Sequence, residues 1–486
     1  RKTKIICTLG PATDAVLPEM IKAGMNVARM NFSHGSHEEH KARMDAVKAA
    51  RKELGMPVGI MLDTKGPEIR TKTYKDGKIE IVEGQEFTLT TRDIEGDNTI
   101  VSITYEGLPN DVQPGTRILI DDGLVAFEVL KIVDGTDIIC KALNGGPLSN
   151  RKSINVPGIK LNMKFISDKD REDIEFGLTQ DIDFIAASFT RCAQDVRDIK
   201  AILKAHGKED VEIICKIENM EGVNNIQEIL DEANGVMVAR GDLGVELPAE
   251  VIPNTQRRIV EKCICAKRPV IIATQMLYSM VKSPRPTRAE VSDVASAIYE
   301  RVDAVMLSDE TAMGDYPVES VETMARIAKA IERDEAYSTP FIDIHMVSVN
   351  HEITAQIARS AVRASTNLPI RAILLDTLTG RTGRYIAAFR PTTIVIAVCY
   401  TLQAQRLLGL SYGVMPILRS KSKEDSYHFL GDAMEFINQR YQELKDEDMV
   451  VAIGGSFGAV RGASYIEIAT IGDIKRRNEE RRAQLK

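Results

Sequence analysis

The chain has 486 residues, a length that predicts about three domains rather than one small core. Hydrophobic residues make up 44% of it and charged residues 27%, which is typical of a soluble globular protein and excludes a disordered chain. The net charge of -7 excludes a general positive field for nucleic acid or an anionic membrane, so a phosphate site must be local. No apolar run reaches the roughly 20 residues of a membrane span, and the N-terminus lacks the apolar core of a signal peptide. We therefore expect a cytoplasmic protein, with its scattered cysteines reduced.

Short apolar runs alternate with amphipathic helical patterns through most of the first 335 residues. Alternation of this kind is typical of parallel strands joined by helical crossovers. Eight such units indicate an α/β fold with a closed (β/α)8 TIM barrel. The predicted strands are residues 4–9, 27–32, 58–64, 184–188, 213–217, 235–239, 270–274 and 304–307.

Residues 67–160 interrupt this alternation with short β-like runs separated by Asp-Gly, Glu-Gly and Pro-Gly turns. The runs are residues 78–82, 86–90, 117–120, 126–132 and 137–142. We interpret the segment as a small β domain inserted after the third barrel strand. The flanking segments, 1–66 and 161–335, together approach the roughly 250 residues that are typical of such a barrel.

A third domain is predicted at residues 345–486, after a linker at residues 334–349. Helical and strand patterns alternate here again, which indicates a C-terminal α/β domain. The runs are residues 353–365, 372–375, 383–388, 394–398, 401–408, 414–418, 432–442 and 449–453.

Polar residues follow several predicted barrel strands at their carboxyl ends, where the active site of this fold lies. Each is weak evidence alone, but barrel packing does not explain so many of them together. They include Arg29, Asn31, Ser33, His34, Asp63, Thr64, Lys216, Glu218, Gly241, Asp242, Thr274, Ser308 and Glu310.

Lys216 and Glu218 stand two residues apart on a predicted strand, so both side chains face the same way. An ordinary ion pair is one explanation. Asp242 follows the neighbouring strand, however, and two carboxylates with open positions are a typical Mg²⁺ site. A divalent cation beside a lysine and an arginine suits phosphoryl or enolate chemistry, in which negative charge develops on oxygen.

Asn31, Ser33, Asp63 and Thr64 are four oxygen-bearing residues on adjacent strand ends, with one full charge among them. This set suits a monovalent cation. A local hydrogen-bond network accounts for the same residues equally well, and the sequence leaves both readings open.

Seven segments together resemble the pyruvate kinase family, and the resemblance covers essentially the whole chain. It implies a barrel, an inserted small β-barrel domain that acts as a lid, and a C-terminal α/β effector-binding domain. The segments are KIICTLGPA from residue 4, ARMNFSHG from 28, LDTKGPEIR from 62, CKIEN from 215, ARGDLGVE from 239, ATQML from 273 and PRPTRAEVSDVA from 284.

The resemblance implies phosphoryl transfer from phosphoenolpyruvate to ADP in glycolysis, giving pyruvate and ATP. By motif position Lys216 would neutralise the transferring phosphoryl group and Arg29 would contact the phosphate. Gly241, Asp242 and Thr274 would line the substrate, with Thr274 near the protonation of enolpyruvate. The other implied roles are Glu218 and Asp242 for Mg²⁺ or Mn²⁺, Asn31, Ser33, Asp63 and Thr64 for K⁺, and Asn31, His34, Arg70 and Lys152 for the nucleotide.

Two further positions bear on this comparison. An acidic residue at Glu68 accompanies K⁺ dependence in the family, whereas a lysine there replaces the cation. Asp309 stands where glycine is commoner, so it adds a carboxylate beside Ser308 and Glu310, for which the resemblance suggests a proton relay.

The segment TLTGRTGR at residues 377–384 follows a predicted strand and opens a helix in the C-terminal domain. Hydroxyls, backbone amides and arginines at a helix start can hold a phosphate, although a simple capped helix explains them too. The segment resembles the family's effector loop, faced by residues 454–458. The candidate residues for a phosphorylated effector are Thr377, Thr379, Gly380, Arg381 and Thr382.

Two other functions compete with this interpretation. A Mg²⁺-dependent enolpyruvate lyase or aldolase would explain the metal site, but not the inserted domain, the K⁺ set or the effector domain. A metabolite sensor without catalysis would bind the effector and show no turnover, which the intact set of Lys216, Glu218 and Asp242 argues against. The resemblance further suggests a homotetramer; nucleic acid and membrane partners are not expected.

Overall fold

Three parallel strands and two helices come first in the computed structural model, which describes residues 1–334, 337, 352–420, 428–441, 443–455 and 462–484. These elements are β1 (Lys4–Thr8), α1 (Leu17–Ala23), β2 (Val27–Asn31), α2 (His37–Leu54) and β3 (Gly59–Asp63). A capping box starts α2, because Ser36 accepts a bond from the Glu39 amide and Glu39 accepts one from the Ser36 amide. The strands are buried almost throughout, as expected when helices cover a parallel sheet.

The insert follows directly and consists mainly of strands. Its elements are β4 (Ile69–Arg70), β5 (Lys78–Ile81), β6 (Glu86–Thr90), β7 (Ile100–Ser102), α3 (Leu108–Asp111), β8 (Arg117–Ile120), β9 (Val125–Val133), β10 (Asp137–Ala142), β11 (Gly146–Ser149) and β12 (Ser153–Asn155). Seven strands form one sheet in the order β4-β12-β8-β9-β10-β6-β7, and β5 pairs with β11. Backbone bonds from Thr104 to Arg70 and from Lys72 to Ser102 join the two end strands, which closes the predicted small barrel.

The chain then returns to the large barrel and completes it. The elements are α4 (Asp168–Thr179), β13 (Phe184–Ala187), α5 (Ala193–Ala205), β14 (Glu212–Ile217), α6 (Met220–Asn224), α7 (Ile226–Glu232), β15 (Gly235–Ala239), α8 (Arg240–Glu246), α9 (Ile252–Cys265), β16 (Val270–Ala273), α10 (Arg288–Tyr299), β17 (Ala304–Leu307), α11 (Asp309–Ala312) and α12 (Pro317–Ile331). Eight parallel strands close in the order β1-β17-β16-β15-β14-β13-β3-β2. The predicted (β/α)8 barrel is therefore confirmed.

The C-terminal part is the predicted α/β domain. Its elements are α13 (Ile353–Asn367), β18 (Ile370–Thr377), α14 (Arg381–Ala388), β19 (Ile394–Cys399), α15 (Leu402–Leu407), β20 (Val414–Leu418), α16 (His428–Arg440), β21 (Met449–Gly454), β22 (Tyr465–Thr470) and α17 (Ile471–Gln484). The sheet order is β20-β19-β18-β21-β22, and only the last pair is antiparallel. Strand β22 and helix α17 are absent from the sequence prediction. The domain limits at residues 66/67, 160/161 and 335/345 stay predictions.

The C-terminal domain covers the amino-terminal end of the large barrel. Leu407 and Leu410 pack into the barrel interior with Phe184 and other strand residues. Polar contacts surround this plug, including a 2.6 Å ion pair between Arg406 and Asp183. Because this end is closed, the opposite end, at the carboxyl ends of the strands, is where a ligand can enter.

All seven cysteines are free thiols, in agreement with the expected absence of disulfides. Among the described residues, we find no helix with both the length and the apolar character that crossing a membrane requires.

Candidate active site

The side chain of Lys216 lies at the centre of a buried charged cluster at the carboxyl end of the barrel. Its Nζ lies 3.0 Å from Glu218 Oε1 and 3.2 Å from Asp63 Oδ1, and it donates a 2.8 Å hydrogen bond to Ser188 Oγ. Lys216 lies on β14 and Glu218 directly follows its last residue, so their spacing of two residues turns both side chains to the same side, and Asp63 reaches the cluster from the end of β3. The lysine is 8% exposed and Glu218 only 1% exposed, so these charges interact with little screening by water.

The electrostatics keep Lys216 charged. Burial alone would lower the pKa of Lys216, but the carboxylates of Asp63 and Glu218 outweigh it and raise this pKa above its ordinary value. For Glu218 the effect of burial has the opposite sign: it raises the pKa of this carboxyl to about 7, with Lys216 opposing the rise and Asp242 adding to it. The cluster therefore holds a permanent cation beside a carboxyl that gives up its proton near neutral pH.

Asp242 completes the predicted metal pair from the first turn of α8. Burial raises the pKa of Asp242, with Lys216 and the neighbouring Glu218 carboxyl opposing the rise. Two adjacent carboxyls that resist ionisation are an environment that a divalent cation would relieve, so the residues present fit Mg²⁺ or Mn²⁺. Among the described residues no group of three or more His, Cys, Asp or Glu side chains is placed to hold a metal. A cation bound here would take its remaining oxygens from substrate and water.

Asp63 links Lys216 to the predicted phosphate-contacting arginine. Its Oδ2 accepts a 2.6 Å bond from Arg29 Nε, and its Oδ1 accepts a 3.0 Å bond from Ser188 Oγ. Arg29 also donates to Thr8 Oγ1 at 2.8 Å. Burial would raise the pKa of Asp63, yet Arg29 and Lys216 together lower it. Arg29 and Lys216 are thus two buried cations held on one carboxylate.

The four oxygen-bearing residues of the predicted K⁺ set lie at the ends of β2 and β3. Asn31 stands opposite Asp63 in the strand register. Asn31 Oδ1 accepts a 3.2 Å bond from the Ser33 amide, and Thr64 Oγ1 accepts a 3.1 Å bond from the Ser188 amide. These bonds fit a local network, while the register that sets Asn31 opposite Asp63 also fits a shared cation, so the structure leaves both interpretations open.

A cleft of about 680 Å³ between the insert and the barrel brings together residues from both domains. Arg70 and Lys152 line it from the insert, and Glu218 and Asp242 line it from the barrel. Arg70 pairs with Glu68 at 2.5 Å, and Lys152 pairs with Asp121 at 2.9 Å. The residues described around the cleft do not include Asn31 or His34. Two of the four predicted nucleotide residues therefore share a cavity with the metal pair.

Thr274 follows β16 and has an unusual backbone. Its φ is +75°, and that of the next residue, Gln275, is +55°. A β-branched residue rarely adopts this conformation, which tends to persist where surrounding contacts enforce it, often at functional sites. A Cβ on Gly241 would lie only 2.8 Å from Thr274 Cγ2, so only glycine allows the start of α8 to approach Thr274 this closely.

Glu310 is placed as a backbone anchor. Its two carboxyl oxygens accept bonds from the Leu277 amide at 3.0 Å and from the Ser308 amide at 2.7 Å. It is fully buried, and burial raises its pKa. These contacts give Glu310 a structural role in joining the ends of β16 and β17.

The candidate effector loop connects β18 to α14. Thr377 Oγ1 accepts a 3.0 Å bond from the Gly380 amide, and Gly380 has a φ of +82°. Thr377 and Thr382 are buried, whereas Thr379 and Arg381 are exposed. Of the facing segment at residues 454–458, positions 456–458 lie outside the described residues. The loop thus presents its exposed polar groups at a helix start.

Two residues of the site were missed from the sequence. Ser188 bonds Lys216, Asp63 and the Thr64 carbonyl oxygen, and the Phe189 amide donates a 2.6 Å bond to Glu218 Oε2. Both follow β13, so the available signal was their place at the end of the predicted fourth strand.

Comparison with known proteins agrees with this architecture. The family model described as the pyruvate kinase barrel domain matches residues 1–321, and the one for the pyruvate kinase alpha/beta domain matches residues 355–469. Pyruvate kinase of Sporosarcina psychrophila is 45% identical over 99% of this chain and 82% of the relative. That of Geobacillus stearothermophilus is 48% identical over 85% and 71%.

A solved structure gives the same result. The crystal structure of a pyruvate kinase from Cryptosporidium parvum covers 97% of this chain and 96% of its own, with a TM-score of 0.90 at 38% identity. Two family models, relatives of 45% and 48% identity and a solved structure all match pyruvate kinases. The chain therefore belongs to the pyruvate kinase family and is a phosphotransferase.

Proposed function

We propose that this protein transfers the phosphoryl group of phosphoenolpyruvate to ADP, giving pyruvate and ATP in glycolysis. The observation that carries the proposal is the buried contact of Lys216 with Glu218 and Asp63, beside Asp242. Phosphoryl transfer depends mostly on positioning and charge compensation, and this cluster supplies both.

Each side chain has a role that follows from its position. The Lys216 ammonium neutralises charge on the phosphoryl group in flight, and the Arg29 guanidinium holds the phosphate of the substrate. Gly241, Asp242 and Thr274 line the substrate, and the Thr274 hydroxyl lies near the carbon of enolpyruvate that receives a proton. Closing the insert over the cleft would exclude water, which strengthens these interactions.

Two cations support this chemistry in our proposal. Glu218 and Asp242 hold Mg²⁺ or Mn²⁺, which when bound compensates negative charge on the substrate oxygens. Asn31, Ser33, Asp63 and Thr64 hold K⁺. The raised pKa of both Glu218 and Asp242 supports the divalent cation site. The K⁺ site is supported by the strand register, in which Asn31 on β2 lies beside Asp63 on β3.

The nucleotide occupies the cleft between the insert and the barrel, with Arg70 and Lys152 contacting its phosphates. In the structure Arg70 forms an ion pair with Glu68 and Lys152 forms one with Asp121. Nucleotide phosphates would compete with these two carboxylates for the two cations. Asn31 and His34 do not line this cleft, and their nucleotide role in the proposal rests on the family resemblance.

Regulation and assembly complete the proposal. A phosphorylated metabolite binds Thr377, Thr379, Gly380, Arg381 and Thr382 and activates the enzyme, which is a cytoplasmic homotetramer. The exposed Thr379 and Arg381 at the start of α14 support this site, because backbone amides and a guanidinium favour phosphate.

The deciding experiment mixes the protein with phosphoenolpyruvate, ADP, Mg²⁺ and K⁺ and follows ATP by luminescence. We expect ATP in stoichiometric amount with pyruvate. No ATP from this mixture, together with pyruvate release from a separately supplied substrate whose carbon–carbon bond is cleaved, would instead establish the lyase or aldolase alternative. Phosphorylated sugars and nucleotides are then tested as activators on the wild type and on Arg381→Ala, which should respond less.

A further inference from the structure

The first residue of α8, Arg240, contacts the unusual turn that carries Thr274. Its Nη2 donates a 2.9 Å bond to the Thr274 carbonyl oxygen, and its Nε lies 3.3 Å from the Ala273 carbonyl oxygen. Two successive carbonyls at the end of β16 therefore point at one guanidinium. The bonded carbonyls thus lie at the start of the turn in which Thr274 and Gln275 both have positive φ.

Asp293, on α10, fixes the guanidinium from the other side. Arg240 Nη1 and Nη2 donate to the two oxygens of its carboxylate at 2.6 Å and 2.7 Å. A bidentate pair of this kind holds the plane of the arginine as well as its position. The Arg240 side chain is 14% exposed and that of Asp293 is 36% exposed, so the guanidinium is shielded from water while the carboxylate is partly open to it.

The far end of the same turn is anchored independently. The Leu277 amide donates to buried Glu310, so one charged side chain holds carbonyls at residues 273 and 274 and another holds the amide at residue 277. Thr274 and Gln275 are enclosed between these two attachments. Their conformation is therefore imposed by neighbouring elements rather than by local preference.

We infer that Arg240 is a positioning residue for the reaction, held in place by Asp293, and that it acts by keeping Thr274 in its substrate-facing conformation. The inference rests on the proposed function, which places the Thr274 hydroxyl at the substrate. It also explains why Arg240 directly precedes Gly241 and Asp242: the helix turn that carries a metal ligand is bonded to the turn that carries Thr274.

Asp293→Asn tests the pair with the smallest change in shape. We expect kcat to fall about tenfold and the KM for ADP to stay within about twofold, because misplacing a reacting group lowers the rate of the chemical step. Arg240→Lys, which cannot form the bidentate pair, should lower kcat by about a hundredfold. Asp315→Asn is the matched control, since it removes a carboxylate from the exposed ion pair with Lys282 and should leave kcat unchanged.

A double-mutant cycle separates positioning from general stability. If Arg240 acts through Thr274, then Arg240→Lys should cost much less in a Thr274→Ala background than in the wild type. Equal losses in the two backgrounds would show that Arg240 does not act through Thr274. A wild-type kcat in both Arg240→Lys and Asp293→Asn would show that the pair has no role in the reaction.

A crystal structure of Asp293→Asn gives a readout that is independent of turnover. We expect Thr274 to relax to a negative φ; a retained positive φ, with the turn unmoved, would overturn the inference. A wild-type protein that makes no ATP would refute the proposed function, whereas an active wild type with unaffected variants would refute only the role of Arg240.

Discussion

At the scale of single residues, Lys216 is the group whose charge the site depends on most. Replacing it by methionine keeps much of its volume but leaves Asp63 and Glu218 without their shared cation. We expect Lys216→Met to lower kcat by about a thousandfold or more, because a cation that neutralises a transferring phosphoryl group is worth this much. Initial rates of ATP formation measure the loss.

The same variant should keep its fold, because the helices and strands do not depend on Lys216. A far-ultraviolet circular dichroism spectrum checks this. Lys282→Met, at an exposed ion pair, is the matched control and should be fully active. Near-normal turnover of Lys216→Met would remove Lys216 from the mechanism.

Glu218 should make divalent cation binding depend on pH near neutrality. Its pKa is raised to about 7, so below that pH a proton occupies the carboxyl that the cation needs. We expect the affinity for Mn²⁺ to be highest above pH 7 and to fall by up to about tenfold per pH unit below it.

Titration calorimetry with Mn²⁺ alone, at several pH values, measures this dependence without turnover. Glu218→Gln cannot take up that proton, so most of the slope should disappear in this variant. An affinity for Mn²⁺ that does not change between pH 5.5 and pH 8 would contradict the assignment of Glu218 as a ligand.

Glu68 tests the requirement for K⁺. In the family an acidic residue here accompanies K⁺ dependence, and we expect Glu68→Lys to restore turnover in buffer free of K⁺. The structure adds a second effect, because Glu68 pairs with Arg70 at 2.5 Å and the new lysine would repel that arginine. The KM for ADP should therefore change together with the cation dependence.

Glu68→Gln is the appropriate control for this experiment, because it removes the ion pair without supplying a positive charge. It should stay inactive without K⁺. Failure of Glu68→Lys to gain activity in K⁺-free buffer, with wild-type activity in the presence of K⁺, would count against this role.

At the scale of elements, the contact between the barrel and the C-terminal domain depends on a few buried charges at the starts of barrel strands. Asp303 precedes β17 and accepts bonds from Arg390 at 2.6 Å, from the Tyr412 amide at 3.0 Å and from the Val270 amide at 3.0 Å. It is 2% exposed. One carboxylate thus connects two barrel strands to the C-terminal domain.

Asp303→Ala should lower the free energy of unfolding by about 3–5 kcal/mol, because Arg390 and two amides lose their buried partner. Urea denaturation followed by circular dichroism measures the change, with Asp315→Ala as an exposed control. A loss below 1 kcal/mol would show that water or rearrangement compensates for the carboxylate.

At the scale of the whole molecule, the cleft that we propose for the nucleotide exists only because the insert lies over the barrel mouth. Lys152 and Arg70 belong to the insert, and Glu218 and Asp242 belong to the barrel. Lys152→Ala should raise the KM for ADP by about tenfold and leave that for phosphoenolpyruvate within about twofold, since it removes one charged contact to phosphate.

Steady-state kinetics with each substrate varied in turn checks this split. Lys141→Ala, an exposed lysine on β10 of the same insert, is the matched control and should have the wild-type KM for ADP. A larger change in the KM for phosphoenolpyruvate than in the KM for ADP would show that Lys152 does not contact the nucleotide.

Much of the architecture could be predicted because its signal is local. Barrel strands are buried on both faces, so β15 and β16 appear in the sequence as continuous apolar runs. The period of two along a strand likewise turns Lys216 and Glu218 to one face, which the 3.0 Å contact confirms. The short strands β4 and β7 carry no such pattern, since two or three residues are too few to show a period.

By itself, then, the sequence determined the order of the elements, the end of the barrel at which charged side chains gather, and the types of those residues. Only the tertiary structure decided that Ser188 bridges Lys216 to Asp63, that Arg70 and Lys152 share one cleft with Glu218 and Asp242, and that Arg240 holds the turn of Thr274. The physical reason is that side-chain direction along a strand repeats over two residues, whereas contacts between strand ends depend on how the barrel closes and how the insert packs on it.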